Sequence, residues 1–327
     1  PEDLGGQGLG VLENALVVEE FCRKDSGLGT ALALCDFASE IILRHGTPEQ
    51  KKRILPAIAG GKMISAGCFT EPNHGSDITA MDTTAVKDGD GWVLNGTKTF
   101  ITNGCIADVY YVLCQTDPSA SPSYRGQSLI LVDKGTPGLD AVEVGDKMGI
   151  RMTSTAEVSF ANVRVPLANL IGEQGKGFYH VLEFFDESRA EIAATAVGIA
   201  QGAFERALEY AKQRQQFGQR LADFQVTQHK LADMAVEIDA ARLLTHRAAW
   251  NYDAGRIDPK LTSMAKYHAG RTAVAVTNEA VQILGGYGYI LEYEVERYFR
   301  DAKITEIYEG TKEIQKNTIA GTFIRKK

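Results

Sequence analysis

Thr83-Thr84-Ala85-Val86-Lys87-Asp88-Gly89-Asp90-Gly91-Trp92-Val93-Leu94 reads as two β-prone runs separated by a turn. Threonine, valine and tryptophan suit the pleated, half-buried surface of a sheet, and the Asp-Gly-Asp-Gly linker carries turn chemistry. More short runs of this kind lie on either side, at 64–69, 109–113, 128–132, 141–144 and 157–160. Turns such as Thr136-Pro137-Gly138 divide them, and no helical period intervenes. Many short strands at close spacing predict an antiparallel barrel or sandwich. Pro166 and the glycine-rich stretch at 172–177 close it.

Helical patterns flank this region. Residues 12–22 and 30–43 carry apolar side chains at mixed three and four spacing. Thr47-Pro48-Glu49-Gln50 is a helix start, with Thr47 as the cap and Pro48 in the first turn, and that helix runs to about residue 58 before Gly60-Gly61. Beyond residue 178 come long amphipathic runs at 178–214, 224–254, 261–284 and 293–307. Gly255 follows one of these helices and Asp258-Pro259 begins the next. The prediction is a multi-domain α+β chain: an N-terminal helical domain at 1–63, an antiparallel β-barrel domain at 64–172 and a C-terminal four-helix bundle at 173–327.

Composition removes several classes of function. The chain has 327 residues, 44% hydrophobic and 24% charged, with a net charge of −7 and no long basic run. Nucleic-acid binding needs a concentrated positive face, so it is not expected. No window reaches the roughly 18 unbroken apolar residues of a membrane span. Five cysteines, an odd number without C-x-x-C, read as free thiols in a reducing compartment. The six histidines lack metal-ligand spacing, so no metal is expected. His74-Gly75-Ser76-Asp77 has the components of a hydrolase triad, but as sequence neighbours and without G-x-S-x-G. The Gly5-Gly6-Gln7-Gly8-Leu9-Gly10 run follows no strand and reads as a loop, not a dinucleotide site.

Five segments have the residue types for chemistry. Ile307-Tyr308-Glu309-Gly310-Thr311 sets one carboxylate between an aromatic ring and a glycine. A base that removes a weakly acidic C–H proton needs shielding from water to raise its pKa, and a neighbouring glycine leaves room for a carbonyl to approach the backbone N–H. The Cys68–Asp77 loop offers the hydroxyls of Thr70 and Ser76 and bare amides at Gly75. Phe100 and Thr102, in Lys98-Thr99-Phe100-Ile101-Thr102-Asn103-Gly104, share a face of a β segment, a ring and a donor together. Arg214, in Arg214-Gln215-Gln216-Phe217-Gly218, could grip a phosphate. Gln282-Ile283-Leu284-Gly285-Gly286-Tyr287-Gly288 presents bare backbone. Taken singly, each also fits a plain turn, strand or helix end.

In this order and on this architecture they resemble the acyl-CoA dehydrogenase family over essentially the whole chain. Gly149-Ile150-Arg151, Ser154-Thr155, Val163-Arg164-Val165-Pro166 and Arg300-Asp301-Ala302-Lys303 extend the match. Family members carry further N-terminal helices before a segment like Pro1–Gly10, so some tens of residues are expected to be missing here. The resemblance implies FAD as cofactor. Phe69, Thr70, Gly75 and Ser76 match positions that hold the flavin ring and pyrophosphate. Phe100 matches an aromatic beside the flavin, and Thr102 a hydroxyl near N5. Arg214, Gln216, Phe217, Phe224 and Gln225 match positions around the adenine half. Gln282, Gly285 and Gly286 do so from across a dimer interface, and Thr311 and Glu313 also face the cofactor.

Glu309 matches the catalytic base. Some members place their acid just before the arginine of the first bundle helix, where this chain has Ser188. Asp186 and Arg189 match residues near the CoA portion, and Ser76, Tyr308 and Gly310 match positions that contact substrate. The implied reaction is α,β-dehydrogenation of an acyl-CoA to a trans-2-enoyl-CoA, with electron-transfer flavoprotein as acceptor. The implied assembly is a homotetramer, a dimer of dimers, in the bacterial cytoplasm or the mitochondrial matrix. An acyl-CoA oxidase, a relative acting on alicyclic or dicarboxylic thioesters, and a non-catalytic flavin-binding scaffold remain as alternatives. Asp36 is expected on a helix that reaches the acyl pocket, as a solvated residue or a second acid toward such a substrate.

Overall fold

The computed structural model describes residues 1–324. The order along the chain is helical, then β, then helical. The first helices are α1 (Val11–Lys24), α2 (Ser26–Ala33), α3 (Ser39–His45) and α4 (Pro48–Ala59). At the start of α4 the Thr47 hydroxyl accepts from the Gln50 N–H at 3.2 Å, and the Gln50 side chain accepts from the Thr47 N–H at 3.0 Å. This reciprocal cap satisfies donors that the first turn leaves open. The continuous helix expected at 30–43 is broken instead. Residues 34–38 form a turn with Ala38 at φ 70°, while the apolar spacing runs on across the break. Asp36 lies exposed in that turn and not on a helix.

Eight strands follow: β1 (Ser65–Cys68), β2 (Thr84–Asp88), β3 (Gly91–Thr102), β4 (Val109–Gln115), β5 (Gln127–Asp133), β6 (Leu139–Glu143), β7 (Thr155–Pro166) and β8 (Leu170–Ile171). They form one sheet in the order β6-β7-β3-β2-β4-β5-β8, with β1 added on β4. The expected closed antiparallel barrel needs correcting. β1 and β2 both pair with β4 in parallel, and among the described residues β6 and β8 do not pair, so the sheet is mixed and open. Alternation within a strand reports its faces. It carries no information on the direction of its partner.

β4 is buried on both faces. Tyr110, Val112 and Cys114 join Trp92, Leu94, Ile130 and Val158 in one cluster. Val109, Tyr111 and Leu113 join Ile41, Ile42, Ile54 and Phe184 in another. Two-sided burial explains why this strand reads as an unbroken apolar run.

The C-terminal part holds α5 (Gly177–Gln213), a two-stranded ribbon of β9 (Gln215–Gln216) and β10 (Gln219–Arg220), α6 (Gln225–Asp253), α7 (Pro259–Leu284), α8 (Val295–Ala302) and α9 (Lys312–Ile324). The helix expected at 293–307 stops at Ala302 and tightens into a 3-10 turn over Lys303–Glu306. The core of α1, α5, α6 and α7 is largely alanine, including Ala193, Ala200, Ala241, Ala265 and Ala273, with Val18, Ile199 and Met234 between. Small side chains let helices approach closely, and the loss of large apolar residues is offset by dispersion contacts along their length.

The chain divides into two compact units. One comprises Pro1–Leu9, Leu34–Asp146 and Thr153–Phe185, and the other Gly10–Ala33, Lys147–Met152 and Asp186–Lys327. All five cysteines are free thiols.

Inside the first unit lies a buried ion pair. Lys98 Nζ donates to Glu71 Oε1 at 2.8 Å and to the Phe69 carbonyl at 3.2 Å, and its side chain is 0% exposed. Glu71 also accepts from the N–H groups of Thr83 at 2.9 Å and Asp82 at 2.6 Å. Burial raises the Glu71 pKa, but Lys98 and these donors outweigh it and hold the carboxyl below the usual glutamate range. A depressed carboxylate pKa contributes stability above the unfolded value, which is lost as pH falls through the folded value. Removing one partner strands the other charge, so Lys98→Met is expected to destabilise the protein by about 3–5 kcal/mol, while the double variant with Glu71→Gln recovers part of that loss. Urea melts of the four proteins in this cycle check it; equal melts for wild type and Lys98→Met contradict it.

Candidate active site

In the first unit, the residues expected to meet a flavin lie on β3 and on the loop after β1. The Thr99 N–H donates to the Thr70 carbonyl at 2.9 Å and lays the loop on the strand. The Glu71–Lys98 pair fixes the loop from beneath. Phe100 sits in a bulge of β3 at φ 55°, and its ring is 68% exposed, while Ile101 beside it is buried. Among the described residues the hydroxyls of Thr70, Ser76 and Thr102 have no hydrogen-bond partner, and a Cβ on Gly75 would meet nothing within 4 Å. An exposed ring, three free hydroxyls and bare backbone are a donor set that fits a flat, polar-edged ring. Phe69 differs from the rest. Its side chain is buried against Phe184 and Phe185, with ring centroids 6.1 and 5.9 Å away, so only its main chain is available to a ligand.

Glu71, His74 and Asp82 present ligand atoms within 4.8 Å of one another. Lys98 and two backbone N–H groups already occupy three of the roughly four lone-pair sites of Glu71, and the Lys98 cation 2.8 Å from Oε1 repels a metal ion there.

In the second unit, a cavity of about 440 Å³ is lined by Tyr210, Arg214, Gln216, Gly285, Gly286 and Tyr287, among others. Arg214 stacks over Tyr287 at 5.5 Å, and among the described residues it has no carboxylate partner. Gly285, at φ 62°, and Gly286 would carry a Cβ into open space. An unpaired guanidinium beside bare backbone suits a phosphate. Phe217 is 94% exposed at φ 53°, with the Phe224 ring 6.4 Å away. Gln225 and Gln282 are exposed on their helices and do not line this cavity. Thr311 caps α9, accepting from the Ile314 N–H at 3.4 Å, and Glu313 is exposed in the first turn.

Glu309 belongs to the same unit. It stands in a left-handed backbone conformation at φ 55°, followed by Gly310 at φ 87°. Such a conformation costs a non-glycine residue about 1–2 kcal/mol. Its carboxylate accepts from the Ser188 hydroxyl on α5 at 2.7 Å. Burial raises the Glu309 pKa above the usual glutamate value; Ser188, Arg189 and Lys266 pull against it without cancelling it. Arg189 is buried and pairs with Asp186 at 3.6 Å. The Tyr308 hydroxyl is buried and, among the described residues, unpartnered.

Two residues here were not singled out by sequence reasoning. Lys266 on α7, 1% exposed, donates to the Gly310 carbonyl at 2.6 Å. Gln315 on α9 donates to the carbonyls of Glu309 and Gly310, at 3.0 Å each. Lys266 was visible as a charge on the apolar stripe of α7, between Thr262, Ala265 and Ala269.

Comparison with known proteins agrees with this layout. Residues 1–62 match the acyl-CoA dehydrogenase N-terminal domain, 66–163 the middle domain and 175–323 the C-terminal domain. An acryloyl-CoA reductase (NADH) of Anaerotignum propionicum is 44% identical over 328 residues, covering 100% of this chain and 83% of the relative. A short-chain specific acyl-CoA dehydrogenase of Clostridium acetobutylicum is 44% identical over 325 residues, covering 99% and 85%. The solved structure of butyryl-CoA dehydrogenase from Megasphaera elsdenii superposes with a TM-score of 0.96 at 42% identity, covering 99% of this chain and 86% of that one. The chain belongs to the acyl-CoA dehydrogenase family of FAD-dependent oxidoreductases.

Proposed function

We propose that Glu309 is the base that removes the α-proton of an acyl-CoA thioester during its oxidation to a trans-2-enoyl-CoA. The observation that carries this is a carboxylate whose pKa is raised by burial, on a segment held in left-handed backbone and followed by a glycine. A raised pKa brings the base closer in strength to the carbon acid it must deprotonate. The Glu309 N–H is the donor proposed to polarise the thioester carbonyl, which acidifies the α-carbon. Tyr308, Gly310 and Ser76 contact the substrate, and Asp186 and Arg189 lie near its CoA portion.

FAD, when bound, supplies the two-electron acceptor for the β-hydride. Thr70, Gly75, Ser76, Phe100, Thr102 and the main chain of Phe69 would hold its ring and pyrophosphate. Arg214, Gln216, Phe217, Phe224, Gln225, Gln282, Gly285, Gly286, Thr311 and Glu313 would hold the rest, some of them from a second copy of the chain. The names of the Clostridium and Megasphaera relatives support a short acyl chain. Electron-transfer flavoprotein is the proposed acceptor.

We further propose the domain limits 1–63, 64–172 and 173–327, the last of them a four-helix bundle. A dimer of dimers is supported by an apolar groove of about 560 Å³ lined by Leu244, Met264, Tyr267 and Phe323. No described helix is long and apolar enough to cross a membrane, and the bacterial cytoplasm or the mitochondrial matrix is the proposed compartment.

Two outcomes are expected. Glu309→Gln retains bound FAD but loses turnover by about 10³-fold or more, since general-base catalysis contributes roughly 10²–10⁴; near-normal turnover, read as flavin bleaching by butyryl-CoA, removes Glu309 from the role. In the wild type, kcat/KM falls as pH drops through the raised Glu309 pKa, because the base must be ionised. The acid limb therefore lies above the usual glutamate value, and a limb at or below that value contradicts the burial argument.

A further inference from the structure

We propose that Lys266 is a positioning residue for the reaction: with Gln315 it clamps the backbone of Glu309 and Gly310, so that the base and the N–H beside it face the substrate in fixed register. The proposal rests on Glu309 being the base and extends that reading to the residues that hold it.

Three observations support it. First, two consecutive residues stand in left-handed backbone, Glu309 at φ 55° and Gly310 at φ 87°. An unfavourable conformation of this kind persists only when its surroundings over-determine it. Second, the over-determining contacts are present. Lys266 Nζ donates to the Gly310 carbonyl at 2.6 Å, and Gln315 Nε2 donates to the same carbonyl and to that of Glu309, at 3.0 Å each. Anchoring both carbonyls fixes the two peptide planes that follow the Glu309 Cα, and so restricts rotation at the Cα that carries both its side chain and its N–H. A Cβ at Gly310 would lie 2.7 Å from Gln315 Nε2, so the clamp closes directly on the glycine. Third, Lys266 and Gln315 are 1% and 0% exposed. A lysine withdrawn from water without a carboxylate in hydrogen-bonding contact is costly to keep unless its charge is used.

The charge also acts on the base. Lys266 faces Glu309, Arg189, Glu306 and Glu313, and burial brings its pKa down to about 8. Glu309 in turn faces Ser188 and Arg189 from α5 and Lys266 from α7, all of which favour its ionised form. Loss of the lysine therefore removes a cation that stabilises the carboxylate, and the Glu309 pKa rises further.

The test uses the FAD-loaded enzyme with Lys266→Met. We expect a full complement of FAD, a KM within about threefold of wild type and a kcat lower by about 10²-fold, the scale of a misplaced catalytic group. The acid limb of kcat/KM moves to higher pH. Lys266→Arg, which keeps charge and donors, recovers at least tenfold of the lost kcat. A Lys266→Met enzyme with wild-type kcat and an unmoved acid limb overturns the proposal. So does Lys266→Arg if it is as slow as Lys266→Met while both hold FAD. Should Lys266→Met lose its flavin, Gln315→Leu decides, since it removes the other arm and leaves the buried cation. A tenfold or greater fall in kcat at unchanged KM then supports the clamp, and a kcat within threefold of wild type overturns it. Glu309→Gln run alongside separates the two levels. If that variant turns over normally, the base assignment fails; if it is inactive while Lys266→Met is normal, only the clamp fails.

Discussion

A carboxylate deprotonates a carbon next to a thioester more readily where burial raises its basicity, and Glu309, the proposed base, is half-buried under that constraint. Burial raises its pKa, and Ser188, Arg189 and Lys266 keep the ionised form within reach. The balance is delicate by construction. Burial alone would raise the pKa further, and a direct salt bridge would lower it. In the second unit one hydroxyl hydrogen bond at 2.7 Å and the charges of Arg189 and Lys266 pull against burial. The same segment holds Glu309 and Gly310 in left-handed backbone, at φ 55° and 87°.

The rest of each unit can be read as support for such placements. In the first unit, Glu71 and Lys98 form a buried pair whose hydrogen bonds reach the carbonyl of Phe69 and the N–H groups of Asp82 and Thr83. Both ends of the loop that carries Thr70, Gly75 and Ser76 are thereby tied to β3, while its tip stays open. Buried ion pairs are weak evidence for stability, but they specify position well. In the second unit, Arg189 and Lys266 are buried beside an alanine-rich core.

Much of this was legible in the sequence. Period and punctuation located α1, α4, α5, α6 and α7 and most strands within a few residues, because caps such as Thr47 and Asp258 are local chemistry. The break at 34–38 was not legible: the apolar spacing continues through it, and only the backbone at Ala38 reveals the turn. Sheet direction and closure were misread for a related reason: the parallel pairing of β1 and β2 with β4, and the lack among the described residues of a β6–β8 pairing, are long-range facts that no strand records. The quoted motifs contained Glu71 and Lys98, yet their pairing depends on which side chains turn inward. Phe69 was assigned to a ligand by position, and its ring belongs to the core. Lys266 escaped notice although a charge on a buried helical stripe is a readable anomaly; naming its partner required the fold of the Glu309 loop.

The most direct measurement of the central claim isolates proton removal from oxidation. Butyryl-CoA incubated anaerobically in D2O with the FAD-loaded protein is followed by mass spectrometry for deuterium at the α-carbon. The account predicts exchange with the wild-type protein that is abolished by replacement of the Glu309 carboxylate with an amide. Exchange at an equal rate in both proteins would contradict it and move the base to another residue.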